Sequence, residues 1–150
     1  MTFTSHMSRA LAEAEAAAAR GETPVGAVLV SPEGRVLAAA GNEVRGRPDP
    51  TAHAEMLVIA AGARALGAER LTGCALYVTL EPCAMCAGAI AHARIARLYY
   101  GAEDPKGGGV VHGARVFSQP TCNHRPEVYG GIAETESAYL LRRFFAERRR

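Results

Sequence analysis

ALYVTLEPCAMCAGAIAHA, residues 75–93, is the stretch that decides the fold, because its pattern changes from strand to helix at a single proline. Residues 75–80 form a short apolar run with β-branched and aromatic side chains, which is typical of a buried strand. Pro82 then favours a helix start, since a fixed φ and a missing N–H are tolerated in the first turn of a helix. We therefore predict a strand over residues 75–80 and a helix over residues 83–93.

The two cysteines of this stretch lie at the predicted helix start. Cys83 and Cys86 are three residues apart, so their thiols share one face of the first turn. The free N–H groups and the positive end of the helix dipole favour thiolate over thiol there. A pair of this kind supplies half of a zinc site.

A second segment supplies a third ligand. Asp49-Pro-Thr51 has the composition of a helix start and would place the imidazole of His53 in another first turn. Three ligands of the His/Cys/Cys type leave a tetrahedral zinc with one open position, which predicts a catalytic site with one zinc per chain. Zinc makes hydroxide available by lowering the pKa of bound water, and Glu55 is the candidate for moving protons to the leaving group.

The composition restricts the class of protein. With 150 residues, 49% hydrophobic and 21% charged, the chain is long enough for one core, and we expect a single domain over residues 1–150. We find no run of roughly 18 apolar residues and no secretory signal, so we expect no membrane partner and a cytoplasmic location. In that compartment Cys74 and Cys122 would stay reduced, and we assign neither a function.

Basic charge is concentrated at the C-terminal end. The net charge is +2, but residues 142–150 hold five arginines and one glutamate, a local +4. Phe144 and Phe145 lie among them, and neighbouring helical residues point about 100° apart, so one ring can pack inward while the other stays near the surface. Aromatic groups beside cations are suited to binding single-stranded RNA. A solvated tail and two core phenylalanines remain the alternative.

The rest of the chain alternates between strand and helix patterns. This order predicts an α/β domain with helices packed on a central sheet. The glycines at 107–109 lack the spacing of a phosphate-binding loop, so we predict a flexible turn there and no nucleotide cofactor. The further predicted elements are a helix over 8–20, a hairpin of strands 25–30 and 35–40, a helix over 52–66 that ends at Gly67, and strands over 97–101 and 125–129.

The ordered motifs resemble a known family. His53-x-Glu55 followed by Pro82-Cys83-x-x-Cys86 is similar to the signature of the zinc-dependent nucleobase deaminases. The wider pattern resembles the bacterial tRNA-specific adenosine deaminases of the cytidine and deoxycytidylate deaminase-like family, from about residue 22 to the C-terminus. It consists of residues 24–30, Asn42, and residues 49–55, 76–89, 104–106 and 123–125.

The resemblance implies a fold, a reaction and a partner. The fold would be three-layer α/β/α with a five-stranded mixed central sheet, cytidine deaminase-like, in a homodimer. The reaction would be hydrolytic deamination of adenosine to inosine in RNA, at the wobble position of a tRNA anticodon, and the partner the tRNA anticodon stem-loop. Asn42 would hydrogen-bond the flipped base. The residues placed beside the anticodon loop would be Asp104, Lys106, Asn123 and His124, with Phe144 and Phe145 on the last helix.

Two other functions remain compatible with the sequence. The metal motif alone does not distinguish an RNA deaminase from a deaminase of a free base or nucleoside, of the guanine or cytosine type. The segments around Asp104 and Asn123 and the Phe-Phe-Arg character of the C-terminal end favour RNA. A non-catalytic, zinc-stabilised RNA-binding module is the alternative from another class. Glu55, which is not needed to hold zinc, argues against it.

Overall fold

The computed structural model describes residues 5–148 as five strands, four α-helices and a short 3-10 helix. The elements in chain order are α1 (Met7–Ala19), β1 (Gly26–Val30), β2 (Val36–Gly41), α2 (Ala54–Leu66), β3 (Ala75–Leu80), α3 (Ala84–His92), β4 (Arg97–Ala102), the 3-10 helix (Val116–Ser118), β5 (Glu127–Tyr129) and α4 (Glu134–Arg148).

The five strands form one mixed sheet in the order β2-β1-β3-β4-β5. β1 runs antiparallel to both β2 and β3, and it forms the hairpin that the sequence predicts, with a register shift between Leu29 and Val30. β3, β4 and β5 are parallel to one another. The predicted five-stranded mixed sheet is therefore confirmed.

Alternating side chains bury the sheet on both faces. Leu76 and Val78 of β3 belong to the core on one face, together with Val58 of α2 and Ile90 of α3. Tyr77, between them, belongs to the core on the other face, which includes residues of α1. α4 packs on β4 and against α1 on this second face. The helices thus form a layer on each side of the sheet, which confirms the three-layer arrangement.

The parallel pairing of β3 and β4 determines where the site forms. Parallel neighbours end at the same edge of a sheet, so the segments that follow them are adjacent. The Glu81 N–H donates to the Ala102 carbonyl at 2.8 Å, and the Gly109 N–H donates to the Pro82 carbonyl at 2.8 Å. These bonds fasten the segment after β3, which carries the cysteines, to the segment after β4.

Two predicted helix starts were wrong by one or two residues. α3 begins at Ala84, because Cys83 is its N-cap with an extended backbone (φ −71°, ψ 174°), so Pro82 precedes the helix. α2 begins at Ala54 with His53 as its N-cap. Asp49 does not cap α2: its carboxylate accepts the Thr51 N–H at 2.8 Å and closes a local turn. Both ligand segments still lie where a loop enters a helix, as predicted.

The other boundaries agree with the sequence except in β5. Gly67 ends α2 in the left-handed conformation (φ 64°), as expected for a glycine after a helix. β5 begins at Glu127, later than predicted, because Pro126 has no N–H for a ladder and the Arg125 side chain bonds the Phe117 and Gln119 carbonyls.

The flexible turn predicted at 107–109 was wrong for two of its three glycines. Gly108 and Gly109 are buried. A Cβ on Gly108 would lie 2.4 Å from Glu81 Oε2, and one on Gly109 would lie 2.5 Å from the Ala84 nitrogen. The glycines are there because the backbone packs closely against the cysteine segment. Within residues 5–148, none of the helices is long and apolar enough to cross a membrane.

Candidate active site

The two N-caps bring three ligand side chains together. His53 Nδ1 lies 3.6 Å from Cys83 Sγ and 3.4 Å from Cys86 Sγ. All three ligand atoms lie within 4.8 Å of one another, and they are the one such cluster of His, Cys, Asp and Glu among the described residues. The three residues that the sequence predicts as metal ligands thus converge at a single point.

The spacing of these donor atoms fits zinc. Zn–S bonds of about 2.3 Å and Zn–N bonds of about 2.1 Å at tetrahedral angles put neighbouring N and S atoms about 3.5 Å apart. The two N to S distances, 3.4 and 3.6 Å, match that spacing. Three donors leave a fourth position, which is the arrangement of a catalytic rather than a structural zinc site.

Electrostatics at the cluster favour a cation. Hydrogen bonds from Cys86 and His53 lower the pKa of the Cys83 thiol to about 4, so it ionises readily. The bond with Cys83, together with burial, raises the pKa of Cys86, so the pair shares one proton. The Cys83 bond also raises the pKa of His53. A divalent metal satisfies all three donors at once, because thiolate and neutral imidazole are the forms that bind metal.

Glu55 lies in the first turn of α2, next to the ligand cluster, and is 3% exposed. Burial raises the pKa of its carboxyl to about 7. Its Oε1 is buried and finds no hydrogen-bond partner in the part of the chain that the structure describes. An unpartnered carboxylate oxygen beside an open metal position is suited to exchanging protons with a ligand at that position.

A cleft of about 420 Å³ opens over this centre. Asn42, Asp104 and Phe144, which the sequence predicts to bind substrate, line it together with His53 and Glu55. The remaining lining residues are Gly21, Glu22, Thr23, Val25, Val44, Arg45, Leu80, Glu81, Cys83 and Arg148. The structure therefore brings three of the seven predicted substrate residues to the metal centre.

Asn42 has a structural contact that the sequence does not reveal. Its Oδ1 accepts the Ala54 N–H at 2.8 Å, at the start of α2. The Arg20 side chain holds the Asn42 carbonyl at 3.2 Å. With the oxygen engaged, the Nδ2 amino group is the end of the side chain left to meet a ligand. Its role in binding a base stays a prediction.

The other predicted RNA-contacting residues lie outside this cleft. Lys106 and Phe145 are exposed. Asn123 lines a separate cavity of about 210 Å³ beside the end of α3. His124 Nε2 lies 2.7 Å from the Ile95 carbonyl. Their contacts with RNA remain predictions.

Phe144 and Phe145 divide as the helix geometry predicts. Phe144 is buried at 7% exposure, whereas Phe145 is 44% exposed. The Arg148 guanidinium lies 3.5 Å from the centre of the Phe144 ring, so a cation and an aromatic ring stack at the rim of the cleft.

Two buried carboxylates near the cleft were missed by sequence reasoning. Glu22 is 3% exposed and accepts the N–H groups of Arg45 and Gly46. Glu81 is 2% exposed and accepts N–H groups from the segment after β4. Burial acts to raise the pKa of Glu81, but these bonds and His112 hold it below its usual value. A charged residue directly after an apolar strand was the available signal for Glu81.

His112 does not belong to the metal cluster and instead bonds Glu81, with 2.8 Å between Nδ1 and Oε1. Cys74 and Cys122 are free thiols, as expected for a chain without disulfides.

Comparison with known proteins decides the family. Residues 2–102 match the family model described as the cytidine and deoxycytidylate deaminase zinc-binding region. The chain belongs to this deaminase family. The match covers both ligand segments, so the family and the geometry agree on a zinc-dependent hydrolytic deaminase.

Individual members of the family differ in their substrates. The chain is 61% identical over 146 residues to a tRNA-specific adenosine deaminase of Agrobacterium fabrum, covering 97% of this chain and 95% of the relative. A structure from studies of A-to-I editing by tRNA:A34 deaminases has 61% identity, a TM-score of 0.88, and covers 90% and 97% of the two chains. A guanine deaminase from Bacillus subtilis has 31% identity and a TM-score of 0.66, with 93% and 94% covered.

Proposed function

We propose that this deaminase converts adenosine to inosine at the wobble position of a tRNA anticodon. The observation that carries the proposal is the 61% identity, over 97% of the chain, to a protein named as a tRNA-specific adenosine deaminase. The similarity to the structure linked to wobble editing points to the same substrate. The cleft adds an acid/base group, a hydrogen-bond donor and an aromatic rim at one metal centre.

The reaction replaces the adenine amino group with oxygen from water and releases ammonia. His53, Cys83 and Cys86 would hold the zinc, whose Lewis acidity makes water nucleophilic near neutral pH. Glu55 would take a proton from the attacking water at Oε1 and deliver protons to the ring nitrogen and the departing amine. Its burial suits this role, because a carboxyl in an apolar place can hold a proton near neutral pH.

Asn42 would orient the base. Because Oδ1 accepts the Ala54 N–H, Nδ2 is directed as a donor, and adenine offers unprotonated ring nitrogens as acceptors. The bond to α2 also sets the position of Asn42 relative to His53, the N-cap of the same helix. One contact therefore aligns the base-binding group with the metal ligand.

The tRNA anticodon stem-loop would extend beyond the cleft. Asp104, Phe144 and Arg148 line the cleft, where they can meet nucleotides next to the reacting base. Lys106, Asn123, His124 and Phe145 lie outside the cleft, so contact with them requires a substrate larger than a nucleoside, reaching across the surface or to a second subunit. We propose a homodimer on the basis of the family resemblance, with the measured mass in solution as the test.

A substrate panel tests the proposed function. The zinc-loaded protein would be incubated with total tRNA and, separately, with free adenine, guanine, cytosine and their nucleosides. We expect inosine in tRNA digests, with one ammonia per inosine, and little turnover of free bases. Ammonia from guanine without inosine in tRNA would instead support guanine deamination, for which the 31% identical guanine deaminase is the supporting observation. Tight RNA binding without ammonia would indicate a non-catalytic module.

A further inference from the structure

Glu81 lies between the end of β3 and the cysteine segment, and its side chain has no exposed area. Its carboxylate accepts five hydrogen bonds from the segment after β4. Oε1 accepts from Asp104 N at 3.0 Å and lies 2.8 Å from His112 Nδ1. Oε2 accepts from the backbone nitrogens of Val110 (3.1 Å), Val111 (3.0 Å) and His112 (3.1 Å).

These bonds hold both ends of one loop, residues 104–112. Asp104 is the first residue of the loop. Its side-chain carboxylate accepts hydrogen bonds from the N–H groups of Lys106 and Gly107, which follow it in the same loop. The Asp104 carbonyl accepts the Gly108 N–H at 2.9 Å. The loop is thus closed on itself at Asp104 and fastened at both ends to a single carboxylate.

The loop also packs directly on the metal-binding segment. A Cβ on Gly109 would lie 2.8 Å from the Cys83 carbonyl carbon, so only backbone fits between the two segments. Glu81 is two residues before Cys83, and Asp104 lines the cleft together with Glu81 and Cys83. Any movement of this loop relative to Glu81 therefore changes the wall of the cleft next to a zinc ligand.

A carboxylate suits this position better than any other side chain. It has two acceptor oxygens and no donor. Here Oε2 meets three backbone N–H groups, and Oε1 meets one backbone N–H and the His112 ring. Burying a charged group without hydrogen-bond partners is strongly unfavourable, so the Glu81 carboxylate can be buried here only because the loop supplies these hydrogen bonds. Glu81 is not part of the His53, Cys83 and Cys86 cluster, so holding zinc does not explain it.

We propose that Glu81 is a positioning residue for the substrate. It holds the 104–112 loop, and with it the part of the cleft wall formed by Asp104, in a fixed place relative to Cys83. The RNA bound against this wall is thereby placed correctly relative to the metal centre. This inference rests on the proposed function, since it concerns how the RNA substrate is placed.

Glu81→Gln distinguishes the hydrogen bonds made by Oε1 from those made by Oε2, because an amide has only one acceptor oxygen. The single amide oxygen should stay with the three N–H groups of residues 110–112, which leaves the amino group facing the Asp104 N–H. The His112 ring can adapt by changing its tautomer, but the Asp104 N–H cannot. The substitution should therefore release the Asp104 end of the loop and leave the other end in place.

Two readouts on the zinc-loaded protein test this. Amide hydrogen exchange of Asp104 should become about five- to 150-fold faster, the range expected when a partly buried N–H loses its acceptor. The KM for an anticodon stem-loop should rise by a similar factor, with kcat within about three-fold and zinc content unchanged, because a binding contact is lost and not a catalytic one. Simple destabilisation would instead lower zinc content and kcat and leave KM unchanged.

Glu103→Gln is the matched control. Glu103 precedes Asp104, its side chain is 54% exposed, and its carboxylate lies 3.6 Å from His112 Nε2. The same carboxyl-to-amide change at Glu103 should leave the amide hydrogen exchange of Asp104 and the KM for the stem-loop as in the parent. Unchanged Asp104 exchange in Glu81→Gln overturns the inference, as does faster exchange with an unchanged KM. If the parent does not deaminate the stem-loop, the proposed function fails, and the fastening of the loop is judged on exchange alone.

Discussion

The buried Glu55 carboxylate destabilises the fold, and its place next to the ligand cluster suits the proposed reaction. A buried polar atom without a partner costs about 1–3 kcal/mol, and Glu55 Oε1 is such an atom within the described residues. This cost is consistent with the proton-transfer role proposed for Glu55, which the following substitution tests.

Glu55→Gln should keep one zinc per chain but lose about 10²- to 10⁴-fold in turnover, the contribution common for a general acid/base group. The amide retains the volume of the side chain and cannot carry the proton. Turnover on a tRNA anticodon stem-loop and elemental analysis measure the two effects. Activity within a few-fold of the parent would remove Glu55 from the proton-transfer role.

Cys86 should be indispensable for zinc. It is fully buried, and its Sγ lies 3.4 Å from His53 Nδ1. Cys86→Ala should lose most of the metal in elemental analysis, whereas Cys74→Ala, which removes a buried thiol away from the cluster, should retain about one equivalent. Full zinc in the Cys86 variant would show that the ligand set is different.

Asn42 can be tested with a pair of substitutions that separate its two contacts. Asn42→Ala removes both, so it should lower the free energy of unfolding by about 1–3 kcal/mol, since the Ala54 N–H loses its acceptor, and lower kcat/KM. Asn42→Asp keeps the acceptor, which a helix start favours as an anion, but has no amino group. It should unfold like the parent yet show the same loss of kcat/KM. Parent-like activity of Asn42→Asp would contradict the base-donor role.

At the scale of elements, one wall of the cleft depends on two segments that are distant in sequence and adjacent in space: the cysteine segment after β3 and the 104–112 loop after β4. β3 and β4 end at the same edge, so the cysteine segment and the 104–112 loop share one wall of the cleft. Gly109 lies where the backbones of these two segments pack closely, whereas a Cβ added to Gly88 in α3 would meet no atom within 4 Å beyond its own stretch of helix backbone. The two glycines thus differ in environment but not in chemistry.

Gly→Ala at these two positions should have opposite effects. Gly109→Ala would push the loop away from Ala84 and Cys83, and overpacking of this kind lowers the free energy of unfolding by about 1–3 kcal/mol. Gly88→Ala should gain up to about 1 kcal/mol, because alanine replaces glycine in a helix interior. Chemical denaturation at a fixed zinc concentration measures both. Equal stability of the two variants would show that the loop can move away from the cysteine segment.

The sequence predicted these elements and the ligands for identifiable physical reasons. His53, Cys83 and Cys86 could be found because residue type and helix-start spacing are local properties. The bonds of Glu81 could not, since its partners are 23 to 31 residues away in the chain. The start of α3 involves a similar contact, since the Pro82 carbonyl accepts the Gly109 N–H, a bond between distant residues that no local pattern contains. The start of α2 differs for a local reason, because Asp49 closes a turn with Thr51 instead of capping the helix.

At the scale of the whole molecule, charge is distributed unevenly. The chain has a net charge of +2, but residues 142–150 carry +4. Arg148 belongs to the wall of the cleft and stacks on Phe144. Arg149 and Arg150 lie outside the described residues, so only their charge enters the following prediction. Substrate phosphates approaching the cleft would meet this basic end of the chain.

Replacing Arg148, Arg149 and Arg150 together with glutamine should weaken tRNA binding and make it less dependent on salt. Glutamine keeps helix propensity and removes the charge. Single-stranded nucleic acid gives a slope of about −0.7 in log K against log salt for each neutralised phosphate, so losing two contacts should make the slope shallower by about 1.4. Binding would be measured across a salt titration, with zinc content and unfolding temperature followed in parallel. Losing the stacking of Arg148 on Phe144 should cost only about 0.5–1 kcal/mol, so the fold should persist.

The matched control removes the same charge elsewhere. Arg9, Arg35 and Arg70 are exposed and do not line the cleft. Their replacement by glutamine lowers the net charge by the same three units, so it reproduces any effect of overall charge on salt dependence. A shallower slope in the C-terminal variant alone would assign the phosphate contacts to that end of the chain. Equal slopes in both variants and the parent would show that these arginines are solvated, and RNA recognition would then depend on the residues of the cleft.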